Sequence, residues 1–229
     1  MAHEQWLLLA LVGLGMRLQA MLEDFNFYYY VSQWPGSYCA QSSKRCCLPT
    51  TGEPDEDFFV VGLYAANSTE AVLRKCPNEQ SFEFSQLEGL EESLSGLWSS
   101  IKCPSNTGQS MWKSLWKNNG VCSNLSLFKY FKQGIIIHRE INLIKALRFQ
   151  SIVPNGRLYQ LAEIKKALKH ELGAEVAIRC RENSNSMKSM SGSTKLMPQV
   201  CYLARACLTL NALTRYPSLP SISKCSRKM

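Results

Sequence analysis

Histidine is scarce in this chain, which contains three in 229 residues, at His3, His138 and His170. The ten cysteines include no Cys-x-x-Cys pair, and no histidine lies near a cysteine at the spacing of metal ligands. These absences argue against a zinc site, and no Ser-His-Asp or Cys-His pairing suggests nucleophilic catalysis. The sequence therefore predicts neither a metal site nor a cofactor.

Long apolar runs are also missing, except at the N-terminus. The run Trp6–Gly15 has the length of a signal peptide and is too short to span a membrane. We interpret residues 1–20 as a signal peptide cleaved after Ala20, with a buried N-terminal helix as the alternative. Because no second apolar run, repeat or linker follows, residues 21–229 are expected to form one soluble domain away from the membrane.

The cysteines are even in number and spread over the whole chain, which favours a disulfide framework formed in an oxidising compartment. Two sequons, at Asn67 and Asn124, are potential N-glycosylation sites in a secreted chain. Both features predict a protein of the secretory pathway, extracellular or vacuolar. The cysteines are Cys39, Cys46, Cys47, Cys76, Cys103, Cys122, Cys180, Cys201, Cys207 and Cys225.

The net charge is +8, which favours anionic partners such as nucleic acid. The alternative is that the charge serves solubility alone. Acidic residues are concentrated in the first third of the chain, and basic residues in the middle.

Strand and helix patterns alternate irregularly along the chain, which predicts an α+β fold. Strands are predicted at 25–33, 58–63, 174–180 and 199–203, with a turn at 34–39 after the first. Apolar stripes at helical spacing predict helices at 84–98 and 158–172, the latter ending at Gly173. Residues 127–147 indicate one or two further helices, with Gly134 as a possible break.

Several motifs occur in a fixed order. Trp34-Pro-Gly-Ser-Tyr-Cys39 is followed by Cys46-Cys47-Leu-Pro-Thr50, and Lys102-Cys103-Pro104-Ser105 precedes Trp112, Trp116, Gly120 and Cys122. This set resembles the ribonuclease T2 family of plant S- and S-like secreted acid ribonucleases, from about Phe25 to Cys225. The resemblance implies an α+β fold with a central antiparallel sheet, helices packed around it, and disulfide staples.

The resemblance also implies five disulfides. They are Cys39–Cys46, Cys47–Cys103, Cys76–Cys122, Cys180–Cys225 and Cys201–Cys207. The last pair is the weakest of these, because the loop that it closes is shorter than the family usually has.

The same resemblance carries the chemistry of the family, which cleaves RNA without a metal. Two histidines act as general base and general acid, and a Glu and a Lys stabilise the pentavalent phosphorane. The first motif, His-Gly-Leu-Trp-Pro, matches Val61-Gly62-Leu63-Tyr64-Ala65 here, so Val61 replaces a histidine. In the second motif the positions of His, Glu, Lys and His hold Ser114, Leu115, Asn118 and Asn119. The resemblance therefore implies that no catalytic residue remains.

Residues that bind RNA could be retained although the catalytic residues are replaced. Gln33 and the aromatic segment Phe27–Tyr30 match the region where the family binds a base, although a core role is the favoured interpretation of these aromatics. Lys113 and Lys117 flank the second motif and could contact phosphate, or could simply be a solvated helix face. His138 and His170 lie outside both motifs, on predicted helices, and are expected to be surface or packing residues.

The sequence thus predicts a secreted, N-glycosylated, monomeric ribonuclease homologue without RNA-cleaving activity. Three alternatives stay open: an RNA-binding module that holds RNA weakly and without sequence preference, a storage or defence protein that uses the scaffold, and an active endoribonuclease. None of them requires a cofactor or a membrane.

Overall fold

A computed structural model describes residues 25–41, 46–77, 80–155, 159–174, 176–181 and 200–209. The predicted signal peptide, the Ser- and Asn-rich segment at 182–195 and the C-terminal tail with Cys225 lie outside the described residues.

Strand β1, Phe27–Gln33, forms where the aromatic and β-branched run predicts it. Its side chains alternate between a buried and a half-buried face, as expected of a strand with one face on the core. Helix α1, Pro35–Gln41, follows directly, so the turn predicted at this point is wrong. Proline suits the first turn of a helix, because its φ is already helical and its missing N–H would have no partner there.

Strand β2, Phe59–Ala66, runs three residues beyond the predicted end at Leu63. The additional residues pair antiparallel with the start of β1, from Tyr29 opposite Tyr64 to Phe27 opposite Ala66. The partner strand, rather than the apolar run, therefore sets the length of β2.

The helix predicted at 84–98 is divided in two. A 3-10 turn at Phe84–Leu87 is followed by α2, Glu91–Leu97. Gly89 lies between them at φ +83°, a backbone conformation that favours glycine and ends the first turn. Leu87, Leu94 and Leu97 of the two pieces are buried, so the apolar periodicity predicts the buried face but not the interruption.

Two helices, α3 (Gln109–Asn118) and α4 (Leu127–Ile141), carry much of the core, and a 3-10 turn at Gly120–Cys122 joins them. Gly134 does not break α4. A Cβ at this position would lie 2.7 Å from Cη2 of Trp98, so the glycine admits that ring against the helix. The break falls instead at Asn142 (φ 39°), which caps the next helix by accepting a hydrogen bond from Lys145 N.

Helix α5, Leu143–Phe149, and helix α6, Leu161–Leu172, pack against each other. A capping box of Gln160 and Glu163 opens α6, and Gly173 in the left-handed conformation closes it, as predicted.

The four strands form one antiparallel sheet in the order β2-β1-β4-β3, where β3 is Ala177–Arg181 and β4 is Val200–Thr209. This confirms the predicted α+β class with a central antiparallel sheet. Strand β4 is longer than predicted because it pairs with β1 along one edge and with β3 along the other.

The core lies between the sheet and helices α2, α3 and α4. It is rich in aromatic rings whose polar atoms bind the backbone: Trp112 Nε1 donates to Trp98 O (2.9 Å), and Tyr130 OH donates to Leu63 O (2.7 Å). The latter bond ties α4 to β2. In the described part of the chain, no helix has the length and apolar character needed to cross a membrane.

Three disulfides link Cys39 with Cys46, Cys47 with Cys103, and Cys76 with Cys122. They are three of the five pairs that the resemblance implies. Of the Cys180–Cys225 pair, Cys225 lies outside the described residues, so this pair stays a prediction.

The implied Cys201–Cys207 pair disagrees with the backbone. Both residues lie on the continuous strand β4. Six residues of extended strand separate their Cα atoms by about 20 Å, whereas a disulfide needs roughly 4.4–6.8 Å. Across the β3–β4 ladder, Cys201 is the register partner of Cys180.

Candidate functional site

The first motif lies on a β-bulge. Val31 of β1 pairs with Gly62, and the next residue, Ser32, pairs with Val60, so Val61 is the extra residue of β2. Bulges bend a strand and redirect a side chain, and they are frequent beside active sites. A bulge that can redirect a side chain is therefore present at Val61. The side chain that it presents is a half-buried valine, which cannot exchange a proton.

The second motif occupies the C-terminal half of α3 and the residue after it. Leu115 is buried with Trp112 and Trp116 on the core side of the helix, whereas Ser114 is exposed. The side chain of Leu115 thus belongs to the apolar core rather than to a polar site.

The two asparagines of the second motif donate hydrogen bonds to backbone carbonyl groups. Asn118 Nδ2 donates to Ser114 O (2.7 Å) and to Ser114 Oγ (3.3 Å). Asn119 is buried and its Nδ2 donates to Leu73 O (3.5 Å). Their amide groups satisfy structural hydrogen bonds and carry no charge.

A short segment between the motifs brings them together. Leu73 N donates to Ala65 O at the end of β2, and Lys75 N donates to Asn118 O at the end of α3, both at 2.9 Å. The Cys76–Cys122 disulfide fastens the same region, and β2 contacts the 3-10 turn after α3. These connections hold the end of β2 near the end of α3, which carries Asn118 and Asn119. A shared site of Val61, Ser114, Leu115, Asn118 and Asn119 stays a prediction.

More cations lie beside the second motif than the two lysines that the sequence predicts. Lys113 and Lys117 are exposed on α3. Arg74 and Lys75 are also exposed, and the Lys75–Asn118 bond fixes them next to the end of α3. Sequence reasoning missed this pair because it lies about forty residues earlier in the chain, although the Arg-Lys dipeptide before Cys76 was a visible signal.

The aromatic segment of β1 divides between two environments. Tyr28 and Tyr30 are core residues, and Tyr28 OH donates to Ser123 O (2.7 Å). Burial raises the pKa of each well above the ordinary tyrosine value. On the other face of the strand, Phe27, Tyr29 and Gln33 are half-buried. The core interpretation therefore holds for Tyr28 and Tyr30, and base binding by the half-buried set stays a prediction.

Tyr64 adds to the half-buried face, because it is the register partner of Tyr29. Tyr29 OH donates to Glu70 O (3.3 Å), which holds its ring in place. Phe27 and Tyr29 meet edge to face at 5.0 Å.

The two described histidines differ sharply. His170 is on the surface of α6, with its side chain 73% exposed and Nδ1 2.9 Å from Glu171 Oε1. Hydrogen bonds from Gln150 and then from His170 lower the pKa of Glu171. His138, in contrast, is buried and hydrogen-bonded on both ring nitrogens, to Tyr30 and Asp57. No local sequence pattern predicts this group of three side chains, since its members are far apart in the chain.

Both sequons lie in turns. Asn67 follows β2, and its Oδ1 accepts from the backbone N–H groups of Thr69 and Ala71. Asn124 is exposed at φ 57° after the 3-10 turn at Gly120–Cys122. Neither asparagine is buried in the core.

Comparison with known proteins gives a consistent result. The profile of the Ribonuclease T2 family matches residues 25–209. Extracellular ribonuclease LE of Solanum lycopersicum is 32% identical over 182 residues, which cover 78% of this chain and 79% of the relative. Intracellular ribonuclease LX of the same species is 36% identical over 163 residues, covering 71% and 68%.

A solved structure agrees with the sequence relatives. The crystal structure of RNase NT in complex with 5′-AMP superposes with a TM-score of 0.69 at 32% identity, over 81% of this chain and 86% of that chain. The antiparallel sheet and its surrounding helices are thus those of a known group of proteins.

Proposed function

Because the chain belongs to the ribonuclease T2 family, we propose that it retains the family scaffold and has lost the ability to cleave RNA. The observation that carries this proposal is the pair of apolar side chains in the motifs. Val61 is the bulge residue of β2, and Leu115 of α3 is packed in the core of the protein. Neither can accept or donate a proton.

The missing groups act at different stages of the reaction. A general base and a general acid each contribute about 10²–10⁴ in rate. The Glu and Lys of the family motif would stabilise the phosphorane, and such preorganised groups are often the largest electrostatic contribution. Here Leu115 and Asn118 stand at the matching positions, and the amide of Asn118 is bonded to Ser114. All four contributions are therefore absent.

Cleavage of RNA by the purified, oxidised protein tests the proposal. We expect no cleavage above a buffer blank between about pH 4 and 7.5, with an active family member as the positive control. Cleavage that survives rigorous purification and disappears in His138→Gln or His170→Gln would show an active endoribonuclease and overturn the proposal.

The variant Val61→His/Asn119→His is a matched companion to that assay. It restores the two imidazoles but leaves Leu115 and Asn118, so the phosphorane stays unsupported. We expect at most a trace of activity, about 10²-fold or more below an active relative. Activity close to that of the relative would mean that the two replaced histidines were the only catalytic deficit.

A second candidate function is weak RNA binding. The observation in its favour is the group of four exposed cations at the end of α3. RNase NT, a relative, forms a complex with 5′-AMP. Phosphate contacts from Lys and Arg give affinity without sequence preference. Gln33 and the half-buried aromatics of β1 would add stacking. A protein that neither cuts nor binds RNA would leave the storage or defence role.

We also propose that the protein passes through the secretory pathway. Residues 1–20 act as the signal peptide of a single-domain, monomeric protein of residues 21–229, secreted or vacuolar, with glycans on Asn67 and Asn124. The disulfides and the turns that hold both sequons support this. Named relatives include one extracellular and one intracellular ribonuclease. Mass analysis of the protein from its native host tests the cleavage point and the glycans.

A further inference from the structure

Strands β3 and β4 place two cysteines directly opposite each other. Cys180 of β3 is the register partner of Cys201 of β4, and both neighbouring pairs of this antiparallel ladder follow the same register. The two cysteines therefore meet inside a regular stretch of sheet, although 21 positions separate them in the chain.

The backbone distance between such partners suits a disulfide. In an antiparallel pair of strands, the Cα atoms of opposite residues are about 4.5 Å or about 5.5 Å apart, depending on the hydrogen-bond pattern. A disulfide needs roughly 4.4–6.8 Å between Cα atoms, so both kinds of pair qualify. Opposite residues also share one face of the sheet. Cys180 and Cys201 can therefore be joined without a change in the backbone.

Cys207 lies on the other face of the sheet. It is the register partner of Tyr29, whereas Tyr202, the neighbour of Cys201, is the register partner of Gln33. Tyr29 and Gln33 both belong to the half-buried side of β1. Because opposite residues share a face and successive residues alternate, Cys207 lies on this side and Cys201 on the opposite one. The sheet itself thus stands between Cys201 and Cys207, in addition to the length of strand between them.

The remaining connectivities can be compared one by one. Besides the three disulfides already described, the chain has four cysteines, which allow three ways of forming two pairs. Pairing Cys180 with Cys225 leaves Cys201 and Cys207, which the course of β4 keeps apart. Pairing Cys180 with Cys207 would span about 20 Å, because Cys207 is six residues along β4 from the register partner of Cys180. Only the third arrangement gives every cysteine a partner within reach.

We propose that Cys180 and Cys201 form a disulfide across the β3–β4 ladder, and that Cys207 pairs with Cys225. Each bond forms when two thiols give up two protons and two electrons to a small-molecule or protein disulfide, which is thereby reduced to two thiols. The proposal rests on the oxidising compartment of the proposed secretory route. It does not depend on whether the protein cleaves or binds RNA.

The first bond stabilises the edge of the sheet. In the order β2-β1-β4-β3, strand β3 is at the end and pairs with β4 alone. A shift of one residue in such a strand would turn each of its side chains to the other face. A covalent link from Cys180 to Cys201 prevents that shift and closes the segment 182–199 into a loop. The second bond attaches the C-terminal tail to β4 at the position opposite Tyr29.

Peptide mapping of the oxidised full-length protein tests the proposal directly. Trypsin cleaves after Lys and Arg, and the sequence places the four cysteines on four different tryptic peptides, at 180–181, 196–205, 206–215 and 225–227. After alkylation and digestion without reduction, we expect 180–181 linked to 196–205, and 206–215 linked to 225–227. Each linked pair should be two hydrogens lighter than the sum of its peptides. A link from 180–181 to either of the other two peptides would overturn the proposal.

A single substitution identifies the partner independently. In Cys201→Ser the former partner is left as a free thiol, which a maleimide labels. We expect the label on Cys180, and a label on Cys207 instead would contradict the proposal. Cys103→Ser is the matched control, because the structure joins Cys103 to Cys47, so the label should appear on Cys47. If Cys201→Ser does not fold, the map of the wild-type protein still decides.

The three disulfides already described serve as the internal standard of the map. Their linked peptides in the same digest show that the sample is oxidised. Free thiols at Cys180 and Cys201 beside those three intact disulfides would overturn this proposal and leave the secretory route standing. Free thiols at all ten cysteines would overturn both.

Discussion

At the scale of single residues, the second motif combines buried framework residues with uncharged side chains at the positions that the resemblance assigns to catalysis. Gly120, Trp116 and Cys122 are all buried and packed in the core region. Leu115 and Asn119 are buried too, but at positions that the resemblance assigns to charged or titrating groups. A leucine suits the core side of α3 better than a charged residue would, because burying a charge is expensive. Leucine at this position therefore avoids the desolvation cost that a buried carboxylate would carry.

Gly120 offers a test at this scale. A Cβ there would lie 3.1 Å from Cζ3 and 3.2 Å from Cδ2 of Trp116, a ring that is fully buried and bonded through Nε1 to Gln80 O. Because the ring has no room to move, Gly120→Ala should lower the free energy of unfolding by about 1–3 kcal/mol. Urea denaturation of the variant and wild type measures this.

Gly96→Ala on α2 is the matched control. The nearest atom to a Cβ there is Asp55 Oδ2 at 3.4 Å, so the methyl group fits, and the substitution should be neutral or stabilising by up to about 1 kcal/mol. Equal losses in the two variants would mean that the Trp116 contact does not set the cost.

At the scale of elements, the segment at 71–77 determines how the two motifs are held. It bonds to the end of β2 through Leu73, to the end of α3 through Lys75, and to the 3-10 turn through the Cys76–Cys122 disulfide. The strand and the helix do not need to contact each other extensively, because this segment binds both. The motif region is thus fixed by connections far apart in the chain.

The disulfides should differ in their contribution according to the loop that each one closes. Cys76 and Cys122 are 46 residues apart, whereas Cys39 and Cys46 are 7 apart. In the chain-entropy account, the longer loop corresponds to roughly 4 kcal/mol and the shorter to roughly 2.4 kcal/mol. Cys76→Ala/Cys122→Ala should therefore destabilise the fold more than Cys39→Ser/Cys46→Ser. Thermal or urea unfolding of both double variants measures the difference, and a reversed order would show that local strain outweighs loop entropy.

At the scale of the whole molecule, charge is divided between two regions. The acidic segment before β2 is held against α4 and α5 by His138 and Arg148. The cations Arg74, Lys75, Lys113 and Lys117 gather instead at the end of α3. Among the described residues, the end of α3 therefore carries a local group of cations.

This separation predicts a salt-dependent affinity for RNA. If the four cations each neutralise one phosphate of a single strand, log K should fall with log salt with a slope of about −3. Lys113→Gln/Lys117→Gln should reduce the magnitude of the slope by about 1.4, since two contacts are lost. Fluorescence anisotropy with a labelled oligonucleotide measures it across a salt series.

Lys165→Gln/Lys166→Gln on α6 is the control for this measurement, because it removes the same charge from an exposed helix elsewhere. An equal reduction of the slope in both variants would indicate general charge attraction without a defined surface. Binding that salt does not weaken would contradict the phosphate contacts altogether.

Much of this protein was determined by local sequence. The alternation of β1, the leucine stripes of the helices, the left-handed glycine after α6 and the order of the motifs all act over a few residues, so they predicted the α+β class and the replaced side chains. The tertiary structure decided what depends on distant partners: the bulge that makes Val61 the extra residue, the placement of Arg74 and Lys75 beside α3, and the course of β4 that separates Cys201 from Cys207. The burial of His138 between Tyr30 and Asp57 is of the same kind, because each neighbour comes from an element some eighty or more residues away, and no local pattern encodes their meeting.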